Sequence, residues 1–264
     1  MKRVIVNGAA GRMGRLIVKG VCEDPELRLV AALEADGHPL LGRDAAELAG
    51  LDEPVGVPLA ADEMPEADVL VDFSAPAATL ARAREAAAKG IALVIATTGL
   101  APEQRAELES LSRDVAVLVS ANMSLGVNLV FQLAAEAARM LDESFDIEIV
   151  EAHHRHKKDA PSGTALTLLR AVCEARGWNP DQVAVYGRHG HTGERPTHEV
   201  AVHAVRGGEV VGDHTVMFIG PAEQVSLRHH AQSREIFASG AVHVARFLAG
   251  RAPGLYTMKD ALGL

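Results

Sequence analysis

From Val4 to Gly14 the chain reads VIVNGAAGRMG, an apolar run followed at once by glycines at positions 8, 11 and 14. The next residues carry Leu16, Ile17, Gly20 and Val21 at helical spacing, which predicts a helix directly after the glycines. A small-residue turn between a strand and a helix lets the backbone approach a pyrophosphate, whose charge meets unpaired N–H groups at the helix start. The spacing here is G-x-x-G-x-x-G rather than G-x-G-x-x-G. The strand-to-helix setting therefore carries the reading, and that setting belongs to an open α/β sheet.

The rest of the first half agrees. LRLVAALE, DVLVDF, IALVIATTG and VAVLVSAN alternate with Ala-rich helical stretches such as PAATLARAREAAAKG. Continuous apolar strands separated by helices predict a parallel sheet covered on both faces, a Rossmann-type doubly wound α/β domain. Past Ser124 the pattern changes. A helical run, SLGVNLVFQLAAEAARML, leads into the alternating strand FDIEIVEAHH and a helix near 163–176. Two further alternating strands flank Gly207-Gly208, which predicts a hairpin. This half reads as a second α+β domain with a mixed or antiparallel sheet. Its apolar surface is large for its size, either as a subunit interface or as a sheet covered by its own helices. REIFASGAVHVARFLAG returns to helical periodicity and is expected to pack on the first domain. The predicted division is 1–124 with 234–264 for dinucleotide binding, and 125–233 for substrate binding and oligomerisation.

A formal net charge of -9 argues against a nucleic-acid partner, since phosphate binding needs a basic surface. Cys22 and Cys173 lack metal-like or redox-like spacing and read as buried thiols in a reducing compartment. The apolar run in MKRVIVNG is too short for a signal peptide, and no stretch reaches the roughly 18 apolar residues of a membrane span. The expectation is a cytoplasmic protein with no membrane partner.

Glu34 closes the second apolar run, twenty residues after Gly14. An acid there hydrogen-bonds the adenosine ribose hydroxyls of a dinucleotide. A carboxylate repels a 2′-phosphate, and the next residue is Ala35 rather than a cation, so NADH is expected to be used better than NADPH. Arg12 in the glycine loop is the cation that could oppose this preference.

Against the acidic background, EAHHRHKKDAPSGTAL concentrates positive and titratable charge at 153–158. Extended backbone would place His153, Arg155 and Lys157 on one side and His154 and His156 on the other. After Pro161, Ser162 is a candidate N-cap with N–H groups near Gly163 and Thr164. Three readings compete at this point: a metal site, a basic surface loop without chemistry, and a site for a small polyanion with His and Lys as proton donors. Arg155, Lys157 and Lys158 would repel a metal ion, and no carboxylate or cysteine set completes one, so no metal is expected.

GAAGRMG, DFSAP, ATTGL, SANMSLGVN, EAHHRHKKDAPSGTA and GLYTMKDAL occur in the order found in the 4-hydroxy-tetrahydrodipicolinate (dihydrodipicolinate) reductase family, which this chain resembles over its whole length. The resemblance implies reduction of a cyclic imine dicarboxylate with NADH or NADPH on the route to diaminopimelate and lysine. Water leaves, and hydride is delivered to ring C4. It implies His153 and Lys157 as proton donors, with substrate contacts from His154, Gly163 and Thr164. It also implies a cofactor site formed by Gly8, Ala9, Ala10, Gly11, Arg12, Met13, Glu34, Ala96, Thr97, Thr98, Ser120, Ala121, Asn122 and Met123. Members are typically homotetramers joined through the second sheet. This chain departs from the family pattern at Ala35 and Ala75, where arginines are often found, at Ala96, where glycine is, and at Met123, where phenylalanine is common. The two lost arginines again favour NADH. A dinucleotide-sensing regulator on the same fold is the alternative, although it would have no need of the His153, Lys157 and Gly163-Thr164 set.

Overall fold

The strands segregate into two sheets, and the computed structural model, which describes residues 1–62 and 64–264, divides accordingly into two units. The first comprises Met1–Leu125 and Glu235–Leu264. In chain order it contains β1 (Lys2–Asn7), α1 (Arg12–Glu23), β2 (Leu27–Leu33), α2 (Ala45–Leu48), β3 (Leu59–Ala60), β4 (Val69–Asp72), α3 (Pro76–Ala88), β5 (Ala92–Ile95), α4 (Pro102–Ser110) and β6 (Ala116–Val119). The chain then leaves through α5 (Leu125–Met140). The second unit, Gly126–Arg234, carries most of α5, then β7 (Asp146–His153), α6 (Gly163–Arg176), α7 (Pro180–Val183), β8 (Ala184–Tyr186), β9 (Val200–Arg206), β10 (Gly212–Ile219) and β11 (Gln224–Ala231). The chain returns to the first unit with α8 (Glu235–Leu248), β12 (Gly254–Tyr256) and α9 (Met258–Leu262).

The first sheet is parallel throughout, in the order β12-β6-β5-β4-β1-β2-β3. Strand alternation sends Val4 and Val6 into one core with α1 and α8, and Ile5 into the other with Leu70, Leu93 and Ile95. Both faces are covered, which is why the strands read as unbroken apolar runs. Gly20 lets α1 and α8 approach closely, since a Cβ there would lie 3.1 Å from the Val242 Cγ2. Strand order reverses between β1 and β4, so a crevice opens beyond their carboxyl ends at Asn7 and Asp72.

The second sheet is mixed, in the order β11-β10-β7-β9-β8. β7, β9 and β8 are parallel, whereas β10 is antiparallel to β7 and β11 to β10. Ile147, Ile149, Val216 and Phe218 pack against Val127, Phe131, Leu168 and Val172 of α5 and α6. On the other face Glu148 is bracketed by Arg188, Arg195 and His203, which holds the 187–199 segment across part of the sheet. Hydrogen bonds from these three side chains, with the charge of Arg188, outweigh the effect of burial and hold the Glu148 carboxyl down at about 2.

The structure corrects the hairpin expected around Gly207-Gly208. β9 and β10 both pair with β7 and lie on opposite sides of it. The glycine turn instead crosses the end of β7, where the Gly207 N–H donates to the His153 carbonyl and the Arg155 N–H to the Gly208 carbonyl. The true hairpin joins β10 and β11. Among the described residues no helix is long and apolar enough to cross a membrane. Cys173 is buried, and neither cysteine forms a disulfide.

Candidate active site

In the first unit the glycine loop is shaped by backbone contact. Gly8 has φ 77°, and a Cβ on it would sit 2.9 Å from the Phe73 carbonyl oxygen. A Cβ on Gly14 would overlap the Gly8 carbonyl oxygen outright. Gly11 is the N-cap of α1, and no side chain caps that helix start. Its first-turn N–H groups and partial positive charge therefore suit an anion, so the cradle fits the pyrophosphate of a dinucleotide.

Glu34 accepts hydrogen bonds from the Ala10 N–H (3.0 Å) and its neighbour Ala35 (3.0 Å), which ties the end of β2 to the glycine loop. Arg12 is exposed, whereas Arg15 is drawn onto the Ala10 carbonyl. Buried Asp72 gathers Asn7 through one oxygen and Ser74, Thr79 and Thr97 through the other, at 2.7–3.1 Å. That network fixes the ends of β1, β4 and β5 where the sheet order reverses. Nothing in the sequence singled out Asp72, because an acid at a strand end looks the same whether solvated or buried.

The remaining cofactor candidates divide by exposure. Ala9, Ala96, Thr97 and Met123 are buried, so their backbone is what they can offer, whereas Thr98 and Ala121 are exposed. Ser120 and Asn122 shape their turn through bonds from Ser120 Oγ to the Asn122 carbonyl and from the Ser124 N–H to Asn122 Oδ1. Met123, the departure from the family's phenylalanine, packs in the core of the first unit.

In the second unit β7 ends at His153, and a turn closed by the Lys157 N–H and His154 carbonyl follows. The alternation expected for His153, Arg155 and Lys157 therefore stops after His153. His153 points inward, with Nδ1 2.6 Å from Glu151 Oε2. Lys157 Nζ lies 2.9 Å from Asp159 Oδ1. His154 is half-buried, and its Nδ1 has no protein partner. Arg155, His156 and Lys158 are exposed.

Ser162 caps α6 as expected, accepting from the Ala165 N–H. Gly163 opens the helix at an exposed position where a Cβ would meet nothing within 4 Å, and Thr164 follows half-buried. The pieces meet through Glu151, which accepts from the Ser162 N–H (3.0 Å) and from both terminal nitrogens of Arg206 (2.8 Å each). His214 stands edge-on to His153 with ring centroids 5.1 Å apart, and its Nε2 lies 3.1 Å from Ser162 Oγ.

The electrostatics follow from burial and pairing. Burial is the largest influence on His153 and pushes its pKa below the ordinary value, with Lys157 and Arg206 acting the same way against the pull of Glu151. His214 is driven down to about 4, by burial first and then by His153. Burial would raise the Glu151 carboxyl, but Arg206, His153 and the Ser162 N–H together hold it below the usual range. The sequence did not single out Glu151, Arg206 or His214. Only the i, i+2 spacing of Glu151 and His153 on one strand could have signalled the first. Among the described residues no three metal-binding side chains converge. A cavity of about 380 Å³ beside Arg188 and His203 is lined by none of the candidate residues.

Comparison with known proteins bears on this geometry. Profiles described as dihydrodipicolinate reductase, N-terminus, and dihydrodipicolinate reductase, C-terminus, match residues 2–123 and 126–262. The chain is 48% identical to a 4-hydroxy-tetrahydrodipicolinate reductase of Anaeromyxobacter dehalogenans, over 100% of this chain and 98% of that protein. It is 46% identical to one of Nitrosomonas europaea, over 99% and 98%. The solved dipicolinate-bound dihydrodipicolinate reductase of Paenisporosarcina sp. TG-14 shares the fold, with a TM-score of 0.76 at 24% identity and 98% coverage of both chains.

Proposed function

The chain belongs to the dihydrodipicolinate reductase family, and on that premise we propose how its residues reduce 4-hydroxy-tetrahydrodipicolinate to tetrahydrodipicolinate in lysine biosynthesis. The observation that carries the reading is the junction in the second unit, where one buried carboxylate links His153 to the start of α6. Loss of the C4 hydroxyl with a neighbouring ring proton as water leaves a conjugated ring, and NAD(P)H, when bound, would supply the hydride that C4 receives.

The residues do the rest. Gly163 and Thr164 hold a substrate carboxylate at the positive end of α6. His154, with an unpartnered ring nitrogen, offers a further polar contact. Lys157 places an ammonium group where it balances the dianion. Hydride addition leaves negative charge on the conjugated ring, and His153 and Lys157 meet it with a proton. In the first unit Gly8, Ala9, Ala10, Gly11, Arg12 and Met13 hold the pyrophosphate, while Ala96, Thr97, Thr98 and Ser120, Ala121, Asn122, Met123 form the turns toward the nicotinamide.

NADH is the better cofactor in this reading. Glu34 presents a carboxylate on the glycine loop, and both Ala35 and Ala75 lack a charge for a 2′-phosphate. The test is steady-state oxidation of each cofactor with substrate generated in place from pyruvate and aspartate semialdehyde. A higher kcat/KM with NADH supports the assignment, and a clear NADPH preference contradicts it. The chain is further proposed to act as a homotetramer joined through the second sheet. Val205 and Arg228, exposed on its helix-free face, support this reading.

A further inference from the structure

Glu151 lies two residues before His153 on β7, on the same face of the strand, with 0% exposure. A carboxylate held that deeply is costly unless its lone pairs are met. Here Oε2 faces His153 Nδ1, Oε1 accepts from the Ser162 N–H, and Arg206 donates to both oxygens. Arg206 is itself fixed by the carbonyls of Val205 and Asp159. The carboxylate is saturated with donors, and its position is set by three separate segments of chain.

An ionised carboxylate only accepts hydrogen bonds, so the His153 nitrogen 2.6 Å away must carry a proton whether the ring is neutral or charged. The proton that the ring can give up is then on Nε2. From this geometry we infer that Glu151, clamped by Arg206, is the positioning residue of the proton donor: it fixes the tautomer and plane of His153 and aims Nε2 as the donating atom. The inference rests on the reading of His153 as a donor to the reduced substrate.

The groups facing His153 show why an anion is needed. Arg206 approaches from β9 and Lys157 from the loop after β7, and both oppose a positive ring, while His214 of β10 stands edge-on beside it and uncharged at neutral pH. Glu151 is the anion among the groups acting on that ring, and its hydrogen bond and charge both favour protonation. Removing its charge while keeping its shape should lower the pH at which His153 loses its proton.

The test is Glu151→Gln, with kcat and KM measured from pH 5.5 to 9 beside the wild type. The expected result is a fall in kcat of about 100-fold near neutral pH, with KM changed less than about fivefold. The limb on which kcat declines with rising pH should move at least about one unit lower, so that part of the lost rate returns in acid. A uniform loss at every pH with the limb unmoved would mark Glu151 as structural only, and an unchanged kcat would also overturn the inference. Circular dichroism and NADH titration report whether the variant folds. Should it not, histidine ¹⁵N spectra of the wild-type protein decide, with the His153 signal identified by its loss in His153→Gln. A neutral ring protonated on Nδ1 is expected, and protonation on Nε2 overturns the inference. These spectra require no turnover, so an inactive wild type would refute the reductase reading while the tautomer of His153 could still be read.

Discussion

At residue scale, two glycines in the candidate sites make opposite demands. A Cβ at position 14 would overlap the Gly8 carbonyl oxygen, a backbone atom, and a Cβ has no torsion by which to move away. Gly14→Ala should therefore lower stability by about 1–3 kcal/mol and weaken NADH binding, as read by urea unfolding and by fluorescence titration. Gly163 is different, because its Cβ would meet nothing within 4 Å and its φ is not positive. Gly163→Ala should leave the unfolding midpoint unchanged yet raise KM about tenfold, the equivalent of about 1.4 kcal/mol. An unchanged KM would remove Gly163 from the substrate site. The glycine pattern showed where a turn must lie, but only the structure separates a glycine kept for packing from one facing open space.

At the scale of elements, β7 organises the second unit: it is the centre of the sheet, carries Glu151 and His153, and delivers the chain to the cap of α6. Its neighbour β10 contributes His214, buried and neutral down to about pH 4 against an ordinary value of 6.5. As pH falls below 6.5 the unfolded chain takes up this proton before the folded one does. The stabilisation is thus present above pH 6.5 and lost progressively down to pH 4, about 3 kcal/mol over that window. Urea midpoints measured at pH 7 and 4.5 should fall less in His214→Gln than in the wild type, and an equal fall would contradict the assignment. Much at this scale was legible in advance. Apolar runs and helical spacing are local signals, and they placed the parallel sheet, α5, α6 and the Ser162 cap. The insertion of β7 between β9 and β10 was not legible, because two alternating strands around paired glycines satisfy a hairpin equally well. Glu151 escaped for a related reason: what makes it more than a surface acid is Arg206, 55 residues further along the chain.

For the whole molecule, the chain builds a parallel sheet, leaves it at Leu125, completes a mixed sheet, and returns at Glu235. The proposed tetramer predicts a light-scattering mass four times the 27.9 kDa of one chain, and a single-chain mass would contradict it. His153, linked through Glu151 to the start of α6, and Lys157 are proposed to serve reduction of the cyclic imine dicarboxylate, and turnover tests this. NADH oxidation should be followed with substrate generated in place, comparing wild type with Lys157→Ala. Rapid oxidation by the wild type and a loss of kcat of about 100-fold or more in the variant, with NADH binding retained, is the result expected. Absence of turnover by wild-type protein that still binds NADH would contradict these assignments.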